Sequence, residues 1–350
     1  MGDFTTEYTI LEGFADPVIL VDGARQVVYA NTAASEFMDI ASLGRDLAIS
    51  FRHPSALEAV DDVLKNKFEQ TTEINFAAPI PQIYQLQTKS VELPEGIGQG
   101  AMIVMRDVTS LKSSDQMRQD FIANVSHELR SPISSLIGII ETLRESVQAD
   151  RATQQKFLQI MSEEAARMAR LIDDLLSLSK VEVSEHVAPV ERVSICSILD
   201  TTIELLRERA LEKGMTLKLT STVSSSDVSG DSDELMEVFQ NLIDNAIKYG
   251  DTESGINIKV ENVTRIPDLK VSGLSVTIEN QGDGIAAEHI PRLTERFYRV
   301  DKGRSRKTGG TGLGLAIVKH IVSRHRGRLS IESFQGKTTM FTVFLPILSN

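Results

Sequence analysis

A row of apolar residues at helical spacing constrains the fold of this chain more than any other feature. The row consists of Phe121, Val125, Leu129, Ile133, Leu136, Ile140 and Leu143. Residues three and four apart lie on the same side of a helix, so this spacing predicts an amphipathic helix that packs along one side.

One histidine lies in this helix, away from the apolar row. His127 is two residues after Val125 and two before Leu129, and at about 100° per residue its ring points toward solvent. Glu128 follows directly, and Ser131 shares the face of His127 at i+4. An imidazole held outward on a rigid helix is placed to react, although an ordinary exposed histidine explains this segment equally well.

A second helical pattern extends from about Arg151 to about Val183. Its apolar row consists of Phe157, Met161, Ala165, Met168, Ile172 and Leu175. Two long helices with one apolar row each cannot bury those rows alone, which predicts a homodimeric four-helix bundle. Pro132 removes a backbone hydrogen bond within the first helix and predicts a kink just after the histidine.

A polar stripe marks a further predicted helix, over residues 233–249. Asn241, Asn245 and Lys248 fall at i, i+4 and i+7 and therefore lie in line on one face. Two amides and an ammonium suit a hydrated Mg²⁺ ion bound to a polyphosphate, because Mg²⁺ takes oxygen ligands and lysine binds phosphate as a point charge. A solvated helix face is the alternative interpretation.

Two glycine-rich segments follow in order along the chain. Residues 280–285 (Asn-Gln-Gly-Asp-Gly-Ile) come directly after a predicted strand, and residues 309–318 lead into a predicted helix. Glycines let a backbone approach a ligand closely, and a helix start offers free N–H groups to an anion. One such segment is weak evidence, but two of them behind the polar stripe and the histidine helix favour a nucleotide site.

Composition excludes several other functions. The formal net charge of −12 argues against nucleic acid as a partner, because phosphate contacts need clustered lysine and arginine. The single cysteine, Cys196, excludes a disulfide framework within the chain and fits a reducing cytoplasm. No apolar run approaches 18 residues, so we expect no membrane span and a cytoplasmic protein that reaches the inner face of the membrane only by recruitment.

In combination, these motifs resemble a sensor histidine kinase of a two-component system. His127–Pro132 resembles the H box of that family, and Asn241–Tyr249 resembles the N box. Residues 280–284 and 309–314 resemble its two glycine boxes, and Glu295–Asp301 resembles the F box. The resemblance covers residues 112–347 and is specific, because all the motifs recur in order.

The resemblance implies a multidomain α+β fold. Residues 1–110, with short strands and helices in mixed order, resemble a PAS domain; a module that binds no ligand and only dimerises or relays strain is the favoured interpretation. Residues 111–184 are implied to be the helical-hairpin dimerisation and histidine phosphotransfer domain, which forms the dimeric four-helix bundle. Residues 190–350 are implied to be a Bergerat-type α/β sandwich, the catalytic ATP-binding domain.

The resemblance also implies catalytic roles. His127 is the phosphoacceptor, and Glu128 accepts its proton as a general base. Ser131 stands where the family orients a water for phosphatase activity, or is simply a capping hydroxyl. Asn245 is implied to coordinate Mg²⁺, with Asn241 in support.

The remaining contacts with ATP are implied for the N box, the glycine boxes and the lid between them. Lys248 and the lid residues Arg304 and Arg306 are expected to contact phosphates, and Tyr249 to stack on adenine. Asn280 replaces the usual aspartate, and its amide oxygen can still accept the adenine amino group. The other residues implied to surround ATP are Gly282, Gly284, Ile285, Gly310, Thr311, Gly312, Leu313 and Gly314.

The implied activity is ATP-dependent phosphorylation of His127, transfer to an aspartate of a response regulator, and dephosphorylation of that regulator. The PAS-like module running directly into this H box resembles phosphate-regulon sensor kinases, which implies sensing through a membrane transporter or adaptor complex. Two alternatives are a signalling scaffold in which ATP only locks a conformation, and an ATPase of the gyrase or chaperone type. The pair His127-Glu128 argues against the scaffold, and the gyrase-type enzyme has no use for the histidine helix.

Overall fold

The structure is a computed structural model of the chain. It describes residues 8–37, 42–76, 81–94, 98–145, 150–223, 226–301 and 310–347. The chain divides into two compact units, Met1–Ala123 and Asn124–Asn350. The finer division into three domains at residues 110 and 184–190 stays a prediction.

The first unit contains a five-stranded antiparallel sheet with the strand order β2-β1-β5-β4-β3. Its strands are β1 (Val18–Val21), β2 (Val27–Ala30), β3 (Gln70–Phe76), β4 (Gln82–Leu93) and β5 (Gly98–Asp107). The helices are α1 (Thr9–Glu12), a 3-10 turn (Thr32–Glu36), α2 (Leu47–Ser50) and α3 (Pro54–Asn66). The predicted mixture of short strands and helices is confirmed, and its assignment to the PAS class stays a prediction.

Helix α3 was not predicted from the sequence. It begins at Pro54, whose fixed φ suits the first turn of a helix. It buries Ala56, Ala59, Val60 and Val63, which pack into the same core as the sheet residues Ile19 and Ile103.

Two long helices carry His127 and the two apolar rows described above. They are α4 (Thr109–Glu145) and α5 (Arg151–Ser184), and Asp150 caps the start of α5 by accepting a hydrogen bond from the Thr153 backbone N–H at 2.6 Å. Helix α4 continues through Pro132, and the expected kink there stays a prediction. Among the described residues, no helix is long and apolar enough to cross a membrane.

The C-terminal part of the second unit is a mixed sheet with three helices against it. The sheet has the order β11-β12-β10-β9-β7, and only the β7–β9 pair is parallel. Its strands are β7 (Thr216–Ser221), β9 (Gly255–Val263), β10 (Gly273–Gln281), β11 (Arg328–Phe334) and β12 (Thr338–Pro346). The helices are α6 (Ile195–Leu211), α7 (Ser232–Tyr249) and α8 (Gly314–Arg324).

The helical layer is held by the apolar side of α7. Val238, Phe239 and Leu242 are fully buried between the neighbouring helices and the sheet, because their spacing places them on one side of the helix. Two short strands, β6 (Arg192–Ser194) and β8 (Asp227–Ser229), form a separate ladder that was not predicted. Helix α8 begins at Gly314, within the second glycine-rich segment, where the sequence predicts a helix.

Candidate active site

The histidine of helix α4 lies on the surface, as its position in the helical period predicts. His127 and Ser131 are both exposed, one turn apart on the same face. Pro132, directly after Ser131, is buried. The imidazole is therefore open to an incoming group.

Glu128, the neighbour of His127, is held between two arginines. Its Oε2 accepts from Arg167 of α5 at 2.9 Å and from Arg299, within the F box, at 3.2 Å. The Arg299 side chain is only 7% exposed. Because charge-assisted hydrogen bonds of this length are strong, the two arginines orient the carboxylate in this arrangement.

A cavity of about 460 Å³ lies beside Arg299. Most residues predicted to bind ATP line it. They are Asn241, Asn245, Lys248, Tyr249, Asn280, Gly282, Gly284, Ile285, Gly310, Thr311, Gly312 and Gly314. Sequence motifs that extend from Asn241 to Gly314 therefore converge on one space.

Helix α7 supplies the polar wall of this cavity. Asp231 caps its start by accepting the backbone N–H groups of Asp233 and Glu234. Further along, Asn241 donates from Nδ2 to the Glu237 carbonyl at 3.0 Å, which directs its Oδ1 away from its own helix backbone. Lys248 pairs with Asp244 one turn earlier, at 2.6 Å.

The glycines of the two boxes allow segments of the protein to pack on one another. A Cβ built on Gly314 would lie 2.5 Å from Oδ1 of Asn241, so the start of α8 touches the N-box amide. Gly312 has a φ of +78°, and a Cβ there would lie 2.9 Å from the Phe297 Cα. These glycines therefore hold the second box against α7 and the F box, while their backbone faces the cavity.

Leu313, Arg304 and Arg306 are the three other residues predicted to contact ATP. Leu313 does not line the cavity among the described residues; its side chain is fully buried, and its backbone N–H donates to the Thr311 hydroxyl at 3.3 Å. The apolar side chain faces the core because it begins the buried row of α8. Arg304 and Arg306 lie outside the described residues.

The residues predicted to contact adenine also line this cavity. Asn280 is buried, and its Nδ2 donates to the Gln281 carbonyl at 3.2 Å, which leaves its Oδ1 as the acceptor predicted for the adenine amino group. Tyr249 is 39% exposed at the end of α7. Phe341 of β12 adds an apolar floor.

Helix α5 contributes residues that sequence reasoning missed. Arg170 and Asp174 line the cavity, and Asp174 Oδ2 accepts from the Thr311 hydroxyl at 2.6 Å. Glu237 of α7 lies nearby and accepts from the Ser177 hydroxyl at 2.7 Å. Burial raises the pKa of Asp174 and of Glu237 above their usual range.

The lining fits a magnesium nucleotide. Nε of Arg299 is a buried donor with no hydrogen-bond partner among the described residues, and Arg299 itself lines the cavity, where its guanidinium contributes positive charge. Lys248, Arg170 and Arg209 add positive charge for a polyphosphate. The amide oxygen of Asn245 is a hard ligand of the kind that Mg²⁺ takes while keeping several waters.

Comparison with known protein families agrees with this geometry. The family model described as the His Kinase A (phospho-acceptor) domain matches residues 117–183. The model described as histidine kinase-, DNA gyrase B-, and HSP90-like ATPase matches residues 230–349. These two regions contain α4 from Met117 onward with α5, and α7 with α8.

Several curated relatives match nearly the whole chain. The phosphate regulon sensor protein PhoR of Pseudomonas aeruginosa is 34% identical over 93% of this chain and 71% of its own length. The sensor protein kinase WalK of Staphylococcus haemolyticus is 30% identical over 97% of this chain, which spans 54% of that protein.

One solved structure has the same fold along almost the full chain. The histidine kinase ThkA, crystallised with the response regulator protein TrrA, aligns over 97% of this chain and 98% of its own, with a TM-score of 0.52 and 19% identity. At that identity the likeness describes the fold alone. The family assignment rests on three observations: the two matched domains, the similarity to PhoR, and the motifs that surround the cavity. The chain thus belongs to the sensor histidine kinases of two-component systems, enzymes that use ATP to phosphorylate a histidine of their own and pass the phosphoryl group to a response regulator.

Proposed function

We propose that His127 is the phosphoacceptor and that the cavity beside Arg299 holds the ATP that phosphorylates it. The observation that carries this assignment is the position of Glu128. It is the neighbour of the exposed His127, and it is hydrogen-bonded to Arg299 in the cavity wall. The acceptor helix and the nucleotide site are thus joined through one carboxylate.

The transfer follows from the chemistry of these side chains. A ring nitrogen of His127 forms a bond to the γ-phosphorus as the bond to the ADP oxygen breaks, and that oxygen keeps the electron pair. Glu128 accepts the proton from the other ring nitrogen. To do so it must turn from Arg167 and Arg299 toward the imidazole, which frees both guanidinium groups for phosphate oxygens.

The remaining residues bind and neutralise the nucleotide. Asn245, supported by Asn241, would hold a magnesium ion, which would neutralise charge on the phosphates. Lys248 and the lid residues Arg304 and Arg306 contact the phosphates. Tyr249 stacks on adenine, and Oδ1 of Asn280 accepts its amino group. Such positioning accounts for most catalysis of phosphoryl transfer.

The partners of this chain follow from its family and its surface. A second copy covers the apolar rows of α4 and α5, and a response regulator docks on the helices near His127. Ser131, exposed one turn from His127, orients a water for dephosphorylation of that regulator. The first unit, as a PAS-like module, would receive its signal from a transporter or adaptor complex, as the resemblance to phosphate-regulon sensor kinases implies.

Labelling with radioactive ATP tests the assignment. Wild type should acquire an acid-labile, alkali-stable label, because a phosphorus–nitrogen bond hydrolyses in acid. His127→Gln should abolish the label, whereas His186→Gln, an exposed histidine beyond the site, should keep it. An unlabelled wild type that still binds ATP would instead support the signalling scaffold, and full ATP turnover by His127→Gln would support the gyrase-type ATPase.

A further inference from the structure

An acidic side chain from the phosphotransfer helices lies inside the nucleotide cavity. Asp174, on α5, lines the same space as Lys248 and Thr311. Its Oδ2 accepts from the Thr311 hydroxyl at 2.6 Å, and Thr311 belongs to the second glycine box. A carboxylate is an unexpected group to find where phosphates are to bind, because like charges repel strongly in a site of low dielectric constant.

The groups around Asp174 act on the ionisation of its carboxyl group. The cavity partly buries the side chain, and this burial raises the pKa of Asp174, while Thr311, Lys248 and Arg170 favour its ionised form. Glu237 faces it from α7, and each of these two carboxylates raises the local negative potential. Lys248 is thereby surrounded by acidic groups, since it also pairs with Asp244.

We propose that Asp174 determines the nucleotide specificity of this site, by opposing the third phosphate of ATP and so favouring ADP while helix α5 is docked on the cavity. The proposal rests on the proposed function, because it assumes that this cavity is the ATP site. ATP carries more negative charge than ADP, so a fixed carboxylate beside the glycine box weakens the binding of ATP more than that of ADP. Withdrawal of α5 removes the carboxylate and lets the triphosphate bind at full strength.

The hydroxyl of Thr311 is the point of competition. In this arrangement it donates to Asp174 and accepts from the Leu313 backbone N–H. A phosphate oxygen would take the same donor only after Asp174 has left. Asp174 is thus a specificity-determining residue and not a catalytic group.

Replacement of Asp174 by asparagine isolates the charge. The amide oxygen of Asp174→Asn can still accept from Thr311, so packing and the hydrogen bond are kept while the charge is lost. Asp173→Asn is the matched control. Asp173 is the exposed neighbour on the same helix, and its replacement makes the same change in net charge. Dissociation constants for ATP and ADP are measured by titration calorimetry with magnesium, on the full chain.

Asp174→Asn should bind ATP about tenfold more tightly and ADP about threefold more tightly, the order expected for one partly screened charge. The KM for ATP in autophosphorylation should fall with kcat changed less than twofold, and the melting temperature should match that of Asp173→Asn. A merely structural role would change the melting temperature and leave the ratio of ATP to ADP affinity unaltered.

Two results would overturn the inference. One is an ATP-to-ADP affinity ratio in Asp174→Asn equal to that of Asp173→Asn. The other is weaker ATP binding that recovers with added magnesium, which would make Asp174 a ligand of the cation. Binding and phosphorylation are measured separately, so a wild type that binds ATP but stays unlabelled would contradict the proposed function and leave the affinity test standing.

Discussion

At the scale of single residues, Glu128 is the group on which the proposed transfer depends most closely. Its carboxylate follows the outward-facing His127 on α4 and accepts from Arg167 and Arg299, which are 39 and 171 residues away in the chain. Release from these two arginines would let the carboxylate take the proton of the imidazole.

Glu128→Gln should lower the rate of autophosphorylation by about a hundredfold, because the amide cannot accept the proton of His127. The KM for ATP should change less than kcat, since Glu128 does not itself line the cavity and reaches it only through Arg299. Single-turnover labelling at saturating ATP measures this rate. Glu141→Gln, an exposed carboxylate on the same helix, is the control and should behave as wild type; an equally slow Glu141→Gln would remove the special role of Glu128.

Gly314→Ala should destabilise the nucleotide-binding region by about 1–3 kcal/mol, the usual range for a core clash. The new Cβ would lie 2.5 Å from Oδ1 of Asn241, at the junction of α7 and α8. Gly138→Ala is the matched control, because no described atom lies within 4 Å of a Cβ built there. That change removes a helical glycine and should be neutral or stabilising by roughly 0.5–1 kcal/mol. Denaturant unfolding that ranks the two variants the other way would contradict this packing.

At the scale of elements, the sequence predicted those with a strong period or a clear end. Helix α7 begins one residue before the predicted residues 233–249 and ends at the predicted position. Helix α3 was missed because its buried row is made largely of alanine and valine, which give a weak signal. The three-residue strands β6 and β8 exist only through their pairing with each other, which no local pattern contains.

A buried histidine connects two of these elements. His325, just after α8, accepts from the Asp231 backbone N–H through Nε2 at 3.0 Å, and its Nδ1 is 2.8 Å from the Ile321 carbonyl, which can only accept. The ring is therefore neutral in the fold, and burial holds the pKa of His325 below its usual 6.5. The end of α8 is thereby tied to the start of α7.

Stability should fall as pH drops below about 6.5, because the unfolded chain then binds a proton that the folded His325 does not. Above that pH, His325 is neutral in both the folded and the unfolded chain, and its full contribution to stability is present. His325→Gln should flatten this part of the pH profile of the melting temperature, with His186→Gln as control. A profile that His325→Gln leaves unchanged would place the titrating group elsewhere.

At the scale of the whole molecule, helix α4 retains an uncovered apolar stripe. Ile133, Ile137 and Ile140 are 42%, 51% and 43% exposed in the single chain. They fall at i, i+4 and i+7 and so form one face. A contiguous exposed apolar face marks an association surface, and the pairing of two copies of this hairpin would cover it.

Ile137→Glu should weaken the homodimer by tenfold or more, because it places a charge within that apolar face. Sedimentation velocity over a concentration series measures the dimer dissociation constant. Thr142→Glu, which adds the same charge at an exposed position about 140° around α4 from Ile137, is the control and should leave the constant unchanged. A dimer of Ile137→Glu as tight as wild type would locate the contact on another surface.

The sequence also predicted the components of the site better than their arrangement. The N box and glycine boxes meet in one cavity, as the family resemblance implies. The entry of Asp174 and Arg170 into that cavity depends on how α5 packs against the nucleotide-binding region, and this packing depends on many weak contacts spread along the chain. Neither residue belongs to a recognisable motif, so no sequence signal could have found them.

Mapping the phosphorylated residue tests the central claim most directly. The purified full chain is incubated with ATP and magnesium, digested at neutral or alkaline pH, and analysed by mass spectrometry. The account predicts one phosphorylated position, His127, on the imidazole ring. Phosphate on a serine, on a threonine or on another histidine, with His127 unmodified, would contradict it.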